Sequence, residues 1–118
     1  MHLFGYFETF LHSKFPDHQL NIRNMGWSAD EVDKMIRPKG FPKLFDELKE
    51  HEADLIFVCF GMNESFGGPE RVKHYEHELG KFVEELHGQK FNGRSTPRIV
   101  LVSPIAHERV ASGLPNGR

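Results

Sequence analysis

At 118 residues the chain is long enough for one domain with a core of its own and too short for two ordinary ones. With 15 Lys and Arg against 17 Asp and Glu the formal charge is −2, which removes the electrostatic reason to expect nucleic acid or an anionic membrane surface as partner. Hydrophobic residues, 38% of the total, come in short periodic groups, and none approaches the roughly 18–20 apolar residues of a bilayer span. The expected partner is therefore a small molecule or a protein. The start, Met1-His2-Leu3-Phe4-Gly5-Tyr6, lacks the basic segment, long apolar stretch and cleavage site of a signal peptide.

In chain order, Leu3, Phe7, Phe10 and Leu11 recur at helical spacing, which predicts a first helix running to the turn signal Phe15-Pro16-Asp17. Leu20-Asn21-Ile22-Arg23-Asn24 alternates apolar and polar residues and meets Gly26, the pattern of a short strand feeding a loop. That loop carries Trp27-Ser28-Ala29-Asp30-Glu31-Val32, with room for one helical turn, and ends near Pro38-Lys39-Gly40. Phe41, Leu44, Phe45 and Leu48 form the stripe of a second helix, with Pro42 in its first turn.

The run Leu55-Ile56-Phe57-Val58-Cys59-Phe60, closed by Gly61, predicts a strand buried on both faces, with the lone Cys59 as a buried thiol in it. After Gly67-Gly68, Pro69 opens the strongest helix, whose Val72, Tyr75, Leu79, Phe82, Val83 and Leu86 face inward and which stops at Gly88. Asn92-Gly93-Arg94-Ser95-Thr96-Pro97 is a turn-rich connector into a last strand, Arg98-Ile99-Val100-Leu101-Val102. Helices alternating with strands predict parallel strands in an α/β layered sheet. The tail after Ile105 has no clear period and reads as a loop or frayed end.

In an open parallel sheet the ligand site lies beyond the carboxyl ends of the strands. Here those ends are Asn24-Met25-Gly26, Gly61-Met62-Asn63-Glu64 and Ser103-Pro104-Ile105-Ala106-His107-Glu108. A glycine can offer its N–H without a side chain in the way, and an asparagine can offer a side-chain NH2. Gly26 and Asn63 could together bind an oxyanion.

Asn24-Met25-Gly26 and Gly61-Met62-Asn63-Glu64 resemble the second and third sequence blocks of the SGNH/GDSL hydrolases, the latter usually written Gly-x-Asn-Asp. Arg23-Asn24-Met25-Gly26-Trp27-Ser28-Ala29-Asp30, Gly61-Met62-Asn63-Glu64-Ser65-Phe66 and Ser103-Pro104-Ile105-Ala106-His107-Glu108 are similar to a bacterial branch of that family. The resemblance implies a flavodoxin-like three-layer α/β/α fold with a parallel sheet, and hydrolysis of a small or carbohydrate-linked acyl ester without a metal or organic cofactor. It implies oxyanion-hole roles for Gly26 and Asn63, and it brings Trp27, Ser28, Glu64, Ser65 and His107 close to the substrate. The family's Gly-Asp-Ser nucleophile and Asp-x-x-His pair have no counterpart here, and Glu64 stands where the family has Asp. The expectation is a truncated domain, its first strand and C-terminal part missing, inactive alone and self-associating as a homo-oligomer through open sheet edges.

Blander readings stand beside these. Ser28 or Ser65 could serve as a replacement nucleophile with His107 as base, but a hydroxyl bonding its own loop is the favoured reading of each. Trp27 is either a wall of the pocket or a lid over the core. His74, His77 and Glu78 fall opposite the apolar stripe and read as a solvated face rather than metal ligands. Gly67-Gly68 reads as a plain loop-to-helix junction. The other class of function is a non-catalytic binding or assembly module on a flavodoxin-like fold.

Overall fold

The computed structural model describes residues 5–105. Its elements run α1 (Tyr6–Lys14), α2 (Leu44–Glu50), β1 (Leu55–Val58), α3 (Met62–Ser65), a 3-10 turn (Pro69–Arg71), α4 (Val72–His87) and β2 (Arg98–Leu101). The two strands pair in parallel, Leu55 beside Arg98 through Val58 beside Leu101. The chain is thus mixed α/β around a two-stranded parallel sheet, and no described helix is long and apolar enough to cross a membrane.

The core follows from strand alternation. Val58 with Ile56 and Ile99 faces α2 and α4, and packs with Leu48, Phe82, Leu86 and Phe91. Three aromatic contacts tie this layer together. The Phe45 ring stacks on Phe91 at 5.7 Å and tilts toward Phe82 at 6.3 Å, while Phe60 meets Phe82 edge-on at 5.7 Å. Proline sets two helix boundaries. Phe15 leaves the helical region ahead of Pro16, as a residue before proline must when its helical conformation is blocked. Pro69 opens the 3-10 turn that leads into α4, whose end is capped when the Gly88 N–H donates to the Glu84 carbonyl and the Gln89 N–H to that of Leu86.

Several expectations are corrected. Residues 20–24 form no strand; their alternation supplies amphipathicity but not a neighbour, and a strand exists only by pairing. The second helix begins at Leu44, after an extended Lys43, so Pro42 precedes it rather than sitting in its first turn. The run 55–60 is buried on one face only: Leu55 and Phe57 point to the other side and are exposed. Cys59 continues that outward alternation and is exposed, although partial shielding pushes its thiol pKa up. The loop 27–32 makes a turn at Ser28-Ala29, with Ala29 in the left-handed region (φ 66°), in place of a helical turn. The loop after β1 contains a short helix, α3, that periodicity could not announce in four residues.

Candidate functional site

Three residues beyond β1 lies Gly61, whose φ of 114° is open to glycine and strained for other residues. That conformation turns the chain under Pro104, which follows β2, and against the Tyr75 hydroxyl of α4. A Cβ at Gly61 would lie 3.1 Å from the Tyr75 oxygen and 3.2 Å from the Pro104 ring. Tyr75 in turn donates to the Phe60 carbonyl at 3.2 Å, and burial, then nearby Glu64, raises its pKa. The carboxyl ends of both strands therefore converge on the start of α3.

Glu64, on α3, is 4% exposed. Its Oε2 accepts the Gly61 N–H at 2.9 Å, closing the turn locally, and its Oε1 accepts the Val32 N–H at 2.8 Å across 32 positions of sequence. The preceding residue makes a second long-range grip, Asn63 Nδ2 donating to the Asp30 carbonyl at 2.8 Å. Two consecutive side chains after Gly61 thus hold the backbone of the loop that follows Gly26. Backbone N–H groups that would be orphaned in a loop are satisfied by a buried carboxylate, which itself needs such donors.

The held loop is stiffened from within. Arg37 forks onto both carboxylate oxygens of Asp30, at 2.6 and 2.7 Å, and that bond holds the guanidinium firmly charged. Its plane lies 5.1 Å over the Trp27 ring, which meets Phe41 edge-on at 4.8 Å. On the far side of the loop, Arg71 reaches Glu31 at 3.1 Å and His74 reaches Asp33 at 2.7 Å. The His74 bond holds the Asp33 carboxyl below its usual range.

The sequence-derived site residues fall as follows. Trp27, Asn63 and Glu64 are joined through the 30–32 backbone and the Asp30–Arg37 pair. Asn63 has spent one amide hydrogen on Asp30 and keeps a second. The Gly26 N–H donates to Asn24 Oδ1 at 3.0 Å, so that amide must leave an internal partner before it can meet a ligand. Ser65 Oγ donates to the Met62 carbonyl at 2.6 Å, the local bond its blander reading describes. Ser28 lies exposed in the 28–29 turn. His107 and Glu108 lie outside the described residues. His74 is exposed, as the solvated-face reading has it, and there it binds Asp33, whereas Glu78 takes Lys81 at 3.0 Å. Among the described residues no group of three or more His, Cys, Asp and Glu side chains gathers as a metal site. A cavity of about 110 Å³ beside the α3 turn is lined by Gly61, Glu64, Ser65, Gly68, Arg71, Val72 and Tyr75.

The chain matches no protein-family model, no curated protein and no solved structure.

Sequence reading missed Asp30, Arg37, Arg71 and Tyr75. The need for glycine at Gly61 carries a local signal, a glycine closing an apolar run. The Asp30–Arg37 fork and the Arg71–Glu31 pair carry none, because the first closes across a loop with no regular period and the second spans 40 residues.

Proposed function

We propose that this chain carries the oxyanion-holding side of an SGNH/GDSL-type acyl-ester hydrolase, on a flavodoxin-like three-layer plan, and has no turnover by itself. The observation that supports the reading is the double grip of Asn63 on Asp30 and Glu64 on Val32. It joins the two motif loops into one unit at the carboxyl end of a parallel strand, where such sites are built. When a hydroxyl attacks an ester carbonyl, negative charge collects on the carbonyl oxygen, and fixed N–H donors lower that barrier. The free hydrogen of the Asn63 amide is one such donor, and the Gly26 N–H becomes the other once released from Asn24. Acyl transfer of this kind needs proton relay and oxyanion binding, not a metal or organic cofactor. The family's Gly-Asp-Ser nucleophile has no counterpart in this sequence, so the donors have no assigned nucleophile to serve. The substrate class is a small or carbohydrate-linked carboxylic ester.

Two measurements test this. Hydrolysis of short-chain p-nitrophenyl esters should not exceed buffer, and turnover that disappears in Asn63→Ala would overturn the claim of inactivity. Titration with acetate or methylphosphonate should shift the Gly26 amide and the Asn63 side-chain amide resonances together, and Asn63→Ala should abolish the Gly26 shift. Unmoved resonances would sink the oxyanion reading. They would favour the second reading, a non-catalytic binding or assembly module, which the engaged Gly26 amide also favours.

A further inference from the structure

One face of the sheet carries the core side chains Ile56, Val58 and Ile99, and the other is left part exposed. Leu55 and Phe57 of β1 share that second face with Arg98 and Val100 of β2, and the N–H of Val102, donating to Val58 at 2.9 Å, carries the alternation one residue further. Leu55, Phe57, Val100 and Val102 keep between 37% and 46% of their surface exposed. Parallel strands ordinarily have both faces covered. The one described element on this side is α1, which touches the sheet through Phe7, edge-on to Phe57 at 5.2 Å. None of the α1 residues is buried, and Tyr6 and Phe10 remain 77% and 62% exposed. At 100° per residue, both lie on the same flank of Phe7.

We infer that a second copy of this chain covers the face, seated between the α1 flank of Tyr6, Phe7 and Phe10 and the sheet surface of Leu55, Phe57, Val100 and Val102. The two halves of the contact sit on the same molecule. A two-fold pairing sets each α1 flank against the partner's sheet face, so every apolar strip is used once on each side. The exposed parts of these side chains come to roughly 600 Å² when a whole aromatic side chain is taken as about 200 Å². That meets the lower end of the roughly 600–1,000 Å² each partner contributes to a stable interface. Arg98 is the sole charged side chain of the paired strands, and a net charge of −2 opposes self-association weakly. The surface is a face of the sheet, distinct from its edges, and it does not depend on the ester-hydrolase reading.

Sedimentation equilibrium of the purified chain from micromolar to hundred-micromolar concentration tests the inference, with Val100→Asp and Phe10→Glu beside it. Both substitutions fall on side chains the single chain leaves in water, so far-UV dichroism should be unchanged. The expected result is a monomer–dimer equilibrium whose Kd rises at least about tenfold in each variant. Cys59, which continues the same outward alternation, should react more slowly with maleimide as the wild-type dimer fills, and at a constant rate in Val100→Asp. A wild type that is monomeric throughout, or that forms polydisperse aggregates, overturns the inference. So does a dimer whose Kd neither variant changes. Should Val100→Asp lose its helical signal, Phe10→Glu decides alone.

Discussion

The buried carboxylate of Glu64 holds the backbone N–H of Val32 at 2.8 Å while its other oxygen holds that of Gly61 at 2.9 Å. One side chain therefore couples the turn after β1 to a loop formed some thirty residues earlier. Glu64→Gln keeps the size but replaces one acceptor with a donor that must face an N–H. The expected loss is about 1–3 kcal/mol, read as a lower urea midpoint at unchanged slope. Hydrogen exchange should quicken first at Val32 or Gly61. A Gln variant as stable as wild type would show that the two bonds are replaced by water at no cost.

Gly61 and Gly40 make a matched comparison. Both have φ in the left-handed range, 114° and 90°, but a Cβ at Gly40 meets nothing within 4 Å while one at Gly61 meets Tyr75 and Pro104. Gly40→Ala should cost on the order of 1 kcal/mol from backbone strain alone. Gly61→Ala should cost at least about 1 kcal/mol more, because the Tyr75 hydroxyl and the Pro104 ring must shift. Equal thermal midpoints for the two variants would contradict the convergence of the strand ends.

Asp33 and His74 predict a pH dependence of definite sign. The folded state lowers the Asp33 pKa from 3.8, chiefly through the His74 hydrogen bond. A lowered acid contributes stability above its unfolded pKa and loses it as pH falls through the folded value. The contribution is therefore complete at neutral pH and vanishes in the acid range below 3.8. Carbon-detected titration should place the Asp33 midpoint below 3.8 in the wild type and return it toward that value in His74→Ala. An unchanged midpoint would remove His74 as the cause.

Arg37 and Trp27 give an optical test. Trp27 is the one tryptophan of the chain, and the Arg37 guanidinium lies over its ring while forking onto Asp30. Lysine has neither the flat fork nor the stacking plane. Arg37→Lys should lower stability by about 1–2 kcal/mol and shift the tryptophan emission toward longer wavelength as water reaches the ring. An unchanged spectrum would mean that Phe41 alone holds the indole.

Much of the central architecture was legible because it is written in short-range pattern. The apolar runs that become β1 and β2, and the helical stripe from Val72 to Leu86, carry their periodicity in consecutive residues. Residues 20–24 show the limit of that signal, since alternation describes a strand's two faces but says nothing about who bonds its edge. Exposure of Leu55 and Phe57 was hidden for the same reason: an apolar run does not reveal whether a second layer covers it. At the site, Asn63 and Glu64 stood out by their place after an apolar run closed by glycine, yet what they hold was not legible. A carboxylate that satisfies a main-chain N–H leaves no mark on the residue type at the other end, and Val32 would look the same unheld.

Among the described residues, five of the six buried apolar side chains, Leu48, Val58, Phe82, Leu86 and Phe91, belong to the stretch from α2 to β2, and Val32 comes from upstream with the half-buried Met25 and Met35 packed against the same core. The described residues upstream of α2 are consequently held to that core by few apolar contacts and by a set of polar bonds from Glu64, Asn63, Arg71 and His74. Urea and heat strip apolar burial, whereas acid slackens Asp33–His74 and salt slackens Glu31–Arg71 first. The upstream arm should therefore swing away from a still-standing sheet as pH falls below 3.8, giving the molecule two unfolding steps where its size alone would suggest one.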